Sequence, residues 1–210
     1  MMKISENISI TTKNLTKAYT KEKGVFDINL TLNSGVLNLL IGKNGSGKST
    51  LLKCIMKHVK YKGKVEKKRL RIGYAPEVFL MPEYQTVDEF LINIGRIKGM
   101  GKVMYQERSV DFFKMFNLEQ VRNKVIKSLS NGMRQKINLL QALIPEPKII
   151  ILDEPLVSLD KNSQKALLEY LTLISKTRLV IISTHNPDKF RSKLKQIYKI
   201  EDGKINDKFS

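Results

Sequence analysis

Cysteine is nearly missing from this 210-residue sequence: Cys54 stands alone, which excludes an intrachain disulfide and fits a reducing compartment. It falls among Leu51, Leu52 and Ile55, where a small buried hydrophobe is expected rather than a nucleophile. Histidine is nearly as scarce, with two residues. Neither His58 nor His185 has a cysteine partner or ligand spacing, so no zinc site is indicated. No run approaches the ~18 apolar residues of a membrane-spanning helix. The longest runs, 149–152 and 179–182, have the length and composition of strands. Residues 1–6 lack the apolar core of a signal peptide, and the chain is expected to be soluble by itself. Internal repeats and long linkers are also lacking. Acidic residues are few, Asp+Glu 20 against Lys+Arg 38, a net charge of +18. That excess favours an anionic partner: a nucleotide, a nucleic acid or an anionic membrane face. The lysines are scattered and not interleaved with aromatics, however, so a solvated basic surface accounts for them equally well.

Glycine is concentrated where it carries chemistry. Gly42-Lys43-Asn44-Gly45-Ser46-Gly47-Lys48-Ser49-Thr50 matches the phosphate-loop pattern G-x-x-x-x-G-K-[ST] in full. A strand-like run, 36–41, precedes it and a helix-like run, 49–56, follows, which is the context the mechanism needs. Gly42, Gly45 and Gly47 let successive backbone N–H groups turn toward one point at a helix N-terminus, an anion nest suited to a polyphosphate. Lys48 is expected to reach the β- and γ-phosphates and the Ser49 hydroxyl to ligate Mg²⁺. A nucleoside triphosphate is the expected ligand.

Alternation of apolar and polar residues predicts antiparallel strands over 8–20 and 25–32, the latter with Phe26, Ile28, Leu30 and Leu32 on one face. Short strands are expected around 64–66 and 70–74. From 76 to 129 the period becomes helical: Val87, Phe90, Leu91 and Ile94 mark one face, and Val110, Phe113, Met115 and Phe116 another. This reads as a helical subdomain, about 77–130, inserted in one domain spanning 1–210. Helices over 133–144 and 162–175 then alternate with buried strands over 148–152 and 178–183. A short helix over 187–194 and a hairpin, 196–201 with 204–206 turned by Asp202-Gly203, close the chain. The fold class is α/β: a mixed, largely parallel sheet with an antiparallel N-terminal part.

The strand 149–152 runs into Asp153 and Glu154. A carboxylate at the C-terminal end of such a strand can hold Mg²⁺, here assigned to Asp153, leaving Glu154 to orient and polarise the water attacking the γ-phosphate. Ser130 and Gly132 open the helix ahead of that strand; a second phosphate spot and a plain helix cap both fit them. His185, closing the next buried strand, can hydrogen-bond a γ-phosphate.

Together these pieces resemble the ATP-binding cassette (ABC) ATPase family, in the family's order along nearly the whole chain. Residues 42–50 look like its Walker A, 129–133 like its signature, 149–154 like Walker B with the catalytic glutamate, 158–160 like the D-loop, and His185 like the switch histidine. Tyr19 sits where the family places a ring under adenine. Leu129-Ser130-Asn131-Gly132-Met133 departs from the usual L-S-G-G-Q while keeping the serine and second glycine; such variants are familiar in exporting subfamilies. Glu77 stands where the Q-loop glutamine is typical, a carboxylate still able to ligate Mg²⁺. The resemblance implies that each ATP is sandwiched head to tail in a homodimer or heterodimer. Lys48, Glu154, His185 and Glu77 come from one chain; Ser130, Gly132 and Asp160 come from the other.

On this resemblance the chain is expected to power transport, in the export direction, from the cytoplasmic face of a membrane through a transmembrane permease that docks near 77–129, with no nucleic acid involved. The alternative is a soluble ABC ATPase acting on nucleic acid or ribosomes, which the charge favours. Relatives of that kind carry two cassettes or a long coiled coil. A small-molecule P-loop kinase fails on the signature and the Asp153-Glu154 pair.

Overall fold

The computed structural model describes residues 7–209, so the signal-peptide reading of 1–6 lies outside the described residues. In chain order the elements are β1 (Ser9–Ala18), β2 (Gly24–Asn33), β3 (Leu37–Ile41), α1 (Lys48–Ile55), β4 (Lys62–Lys67), β5 (Ile72–Ala75), α2 (Val87–Ile97), α3 (Lys102–Met115), α4 (Asn131–Leu143), β6 (Ile149–Asp153), α5 (Lys161–Ser175), β7 (Leu179–Thr184), β8 (Lys195–Glu201) and β9 (Lys204–Phe209). The fold is α/β. Residues 71–170 make one compact unit, and the described residues before and after them make another.

In the flanking unit, β1 pairs antiparallel with β2 on one side and β4 on the other. The expected alternation holds from Ile28 to Leu32 but fails at Phe26, because Val25 points inward in its place. Two offset bulges explain this. Leu15 faces Ile28 and Lys17 faces Val25, so β2 carries an extra residue there, with Asp27 at φ 52. Thr12 faces Leu30, so β1 carries an extra residue in turn, with Asn14 at φ 49. The Asn14 amide donates to Asp27 Oδ1 at 2.9 Å and ties the two irregularities together.

In the same unit β3 lies between β7 and β8, parallel to both, and β9 returns antiparallel to β8. Every residue of β7 is buried, as a strand covered on both faces requires. Asn38, wholly buried in β3, bonds Asn33 O (2.9 Å) and Val180 O (3.0 Å), so it carries no desolvation penalty. The Asp202-Gly203 turn has φ 48 and 74, the left-handed pair a tight hairpin demands. The expected helix over 187–194 is only a 3₁₀ turn, Pro187–Lys189. Phe190 leaves helical geometry (φ −90, ψ 82) and becomes buried.

In the central unit β5 and β6 are parallel, and α4 rides closely over β5 at Gly73, where any side chain would strike Ala142 O. A Thr86–Glu89 capping box starts α2, which buries Val87, Phe90 and Leu91, while Ile94 is only half-buried. The buried face of α3 differs from expectation. Tyr105, Ser109, Phe112 and Phe113 point inward and Phe116 follows, a true helical series, whereas Val110 is exposed and Met115 half-buried. Among the described residues no helix is long and apolar enough to cross a membrane.

Cys54 is buried on α1, and burial pushes its thiol up to about 11. Native protein at pH 8 is expected to resist iodoacetamide over hours and to react within minutes in denaturant, followed by mass spectrometry. Rapid stoichiometric labelling without denaturant would contradict the burial.

Candidate functional site

The loop from Gly42 to Gly47 joins β3 to α1. Gly45 (φ 83) and Gly47 (φ 109) occupy left-handed backbone, and Gly47 is the N-cap of α1. That helix opens with no side-chain cap bond and no acidic residue in its first turn, so neither a capping side chain nor a first-turn carboxylate offsets its positive end. The Ser46 hydroxyl is buried and has no hydrogen-bond partner among the described residues. An uncapped helix start and an orphaned hydroxyl in one loop fit an external oxyanion. Lys48 curls back, its Nζ donating to Gly42 O (2.8 Å) and Lys43 O (3.2 Å), which holds the ammonium over the loop. Ser49 and Thr50 follow in the first turn of α1, and Asn44 lies on the exposed side of the loop.

Two other turns brace this loop. Gly203 N–H donates to Ser46 O (3.0 Å), and Phe26 N–H donates to Gly203 O (2.7 Å). A Cβ on Gly203 would meet Gly24 O at 2.6 Å and the Phe26 ring at 2.8 Å; one on Gly47 would meet Gly24 O and Val25 at 2.8 Å. A Cβ on Gly42 would strike Ile200 O. Three glycines from distant sequence, 24, 47 and 203, therefore meet where the backbones are closest. Sequence reading assigned Gly203 only to a hairpin turn, since an Asp-Gly pair carries no signal of a loop packed behind it. Gly24 ends the turn containing Tyr19, whose N–H donates to Lys23 O (2.8 Å). The Tyr19 ring is exposed, with Lys17 Nζ 4.9 Å from its centroid. Ile41 pairs with Thr184, so His185 leaves β7 beside the start of the loop and is exposed there.

The central unit gathers the remaining candidates. β6 delivers Asp153 and Glu154, both buried, with Glu154 in left-handed backbone at φ 47. Strained backbone at a carboxylate is a common mark of a working position. Burial, and then the nearby Asp153 charge, pushes the Tyr74 phenol up to about 12. Ala75 pairs with Leu152, so the chain leaves β5 toward Glu77 at the end where β6 presents its carboxylates. Ser130 caps α4, its hydroxyl accepting from Met133 N–H at 3.3 Å, so the cap reading is realised. Ser130 is exposed and Gly132 half-buried, and a Cβ on Gly132 would lie 2.9 Å from Ser158 O. Asp160 is engaged within its own chain. Hydrogen bonds from Lys136 Nζ (2.8 Å), Ser163 N–H (2.9 Å) and the Ser163 hydroxyl (2.8 Å) hold its carboxyl well below the usual range. The Gln164 amide donates to Leu156 O (3.1 Å) and Leu159 O (3.0 Å), fixing the same turn. Among the described residues no cluster of three His, Cys, Asp or Glu forms a ready metal cage. Ser49 in the flanking unit, and Asp153 and Glu77 in the central one, are each oxygen donors of the type Mg²⁺ accepts.

Gly203→Ala is expected to weaken nucleotide binding about tenfold, from left-handed strain and the push on the phosphate loop. Titration with a fluorescent ATP analogue reads it, with far-UV circular dichroism unchanged. Wild-type affinity would show that the bracing is dispensable.

Residues 25–157 match the profile of the family described as ABC transporter. An uncharacterized ABC transporter ATP-binding protein of Bacillus subtilis, YxlF, is 31% identical over 82% of this chain and 61% of its own length. The chain spans between 31% and 61% of the length of several curated relatives it matches. A solved ATP-binding subunit of an ABC transporter superposes with TM-score 0.88 at 26% identity, over 96% of this chain and 89% of that one. The dimeric structure of MJ0796, a bacterial ABC transporter cassette, gives 0.83 at 25% identity, over 96% and 98%. With the phosphate loop, the carboxylate-ended strand and the capped signature helix all inside the matched stretch, this chain belongs to the ABC transporter family.

Proposed function

We propose that the chain binds ATP with Mg²⁺ and hydrolyses it as the nucleotide-binding subunit of a membrane transporter. The observation that carries this reading is the glycine-built loop at the uncapped start of α1, with Lys48 folded over it. The backbone N–H groups at the start of α1 and the Lys48 ammonium bind the phosphates and neutralise their charge. Ser49 and Asp153, with Glu77, would hold Mg²⁺, which would supply positive charge to offset that of the phosphates. Glu154 orients the attacking water and accepts its proton, and His185 donates a hydrogen bond toward the terminal phosphate. Tyr19 offers its exposed ring to the adenine.

Phosphoryl transfer is mainly positioning and charge stabilisation. We place the second helix N-terminus, with Ser130 and Gly132, on the nucleotide of a second chain, identical or related, and the turn at Asp160 beside it. The dimeric cassette to which this chain is similar supports the presence of a second chain. Opening after hydrolysis would move a transmembrane permease docked on the helical segment about 77–130, which we treat as a subdomain inserted in a RecA-like core. Exposed Val78, Leu80 and Tyr84 suit such a contact. The subunit would then work at the cytoplasmic face of the membrane, and the signature variant favours export. A soluble ATPase acting on nucleic acid or ribosomes is not favoured, since the relatives matched are named as transporter components.

Glu154→Gln is expected to keep ATP binding, to lower hydrolysis by about a hundredfold or more, and to accumulate a dimer with ATP on size exclusion. A strictly monomeric profile for that variant at saturating ATP would contradict the sandwich.

A further inference from the structure

Asn138 and Gln141 are amides buried in α4, only 1% and 5% exposed, among Ile137, Leu139, Leu140 and Ala142. Leucine would fill such positions without a desolvation penalty, so buried amides persist where their hydrogen bonds hold something. Both spend donors on the backbone leaving β5. Asn138 Nδ2 donates to Pro76 O at 2.7 Å, and Gln141 Nε2 to Tyr74 O at 2.6 Å. Gly73 makes the reach possible, because its missing side chain lets α4 ride close to the strand. The amides also join one another: Gln141 Nε2 lies 3.4 Å from Asn138 Oδ1, and Asn138 Nδ2 lies 3.3 Å from Gln135 Oε1. At the far end Lys98 Nζ donates to Gln141 O (2.8 Å) and Oε1 (3.1 Å), in surroundings dry enough to bring its ammonium down to about 8.

A polar ladder, Gln135–Asn138–Gln141–Lys98, thus runs along one side of α4 and grips the segment immediately before Glu77. Pro76 has no N–H to offer, so its carbonyl is the handle by which that segment is held. The helix that carries the ladder is the one that starts at Ser130. Glu77, Asn131, Gln135, Asn138 and Ser158 further share one solvent-open cavity of about 300 Å³.

We infer that Asn138 and Gln141 are positioning residues for ATP hydrolysis: they fix Glu77 against the helix that presents Ser130 and Gly132. This rests on the reading of Glu77 as a contact at the terminal phosphate and its metal. The amides touch no substrate; they act through the backbone they hold.

The test is a double-mutant cycle on the full chain, measuring kcat, KM for ATP and nucleotide dissociation constant. Asn138→Asp keeps size and shape but puts an acceptor against Pro76 O; Asn138→Ala removes the group. Each is expected to lower kcat about tenfold while nucleotide affinity stays within about twofold, since a misplacement near 1 Å has a large effect on chemistry and little on binding. In a Glu77→Ala background, Asn138→Ala is expected to change kcat by less than about twofold, because the residue it positions is gone. Asn138→Ser, smaller and still a donor, carries the same cycle should either variant lose the fold. Wild-type kcat in the Asn138 variants would overturn the inference. So would a tenfold loss persisting without the Glu77 carboxylate, or a loss confined to nucleotide affinity. Wild-type kcat in Glu77→Ala alone would sink the reading of Glu77 itself, a result separable from the others.

Discussion

A loop that passes through left-handed backbone at Gly45 and Gly47 into the uncapped start of α1 is the constraint on which the rest of the flanking unit depends. Those left-handed turns turn backbone N–H groups outward for an anion, a conformation that glycine adopts without steric cost. Once that loop is required, its neighbours are restricted in turn. The backbones at Gly24 and Gly203 must come within van der Waals contact of it, and neither position has room for a Cβ. The hairpin that ends the described chain is thereby part of the phosphate site, through the bond from Gly203 N–H to Ser46 O. The parallel pairing of β3 with β7 adds His185 to the same neighbourhood by register alone.

The central unit repeats the device with different fastenings. There the helix start at Ser130 is capped by its own hydroxyl, so it is a weaker nest by itself than the loop at Gly47. Its partner turn at Asp160 is anchored by Lys136 from the same helix and by Ser163, which turns two sequence motifs into one built surface. A surface prepared in this way, with Ser130 exposed, suits a ligand brought to it by another chain. This is the physical basis for proposing that each polypeptide contributes two different halves of a site, and that ATP joins them.

Much of this was legible in the sequence because the signals were local. The phosphate-loop pattern, the all-apolar strands at 149–152 and 179–182 and the Asp-Gly hairpin each require no knowledge of distant residues. What escaped reading depended on pairs. The bulges at Asn14 and Asp27 place two non-glycine residues at positive φ, each tolerated because the other answers it across the strands, and they displaced Phe26 from its expected face. On α3 the expected face held at Phe113 and Phe116 but lay one position off at Val110, where Ser109 is buried instead, because the direction of the core is not fixed by periodicity over a few residues. The short helix after Pro187 lost to the burial of Phe190, a tertiary demand. Nothing local in the sequence marks Asn138 and Gln141, and only the close approach at Gly73 reveals what they hold. Asp160 was assigned to nucleotide by resemblance, while its carboxylate also has a full set of partners at home.

The most direct test of the central claim is the rate of ATP hydrolysis per chain as a function of protein concentration, at saturating ATP and without a membrane partner. If two chains are needed to complete each site, the rate per chain rises with concentration toward a plateau, and the midpoint coincides with the dimerisation seen by sedimentation. A constant rate per chain, from protein that remains a monomer throughout, would contradict the account.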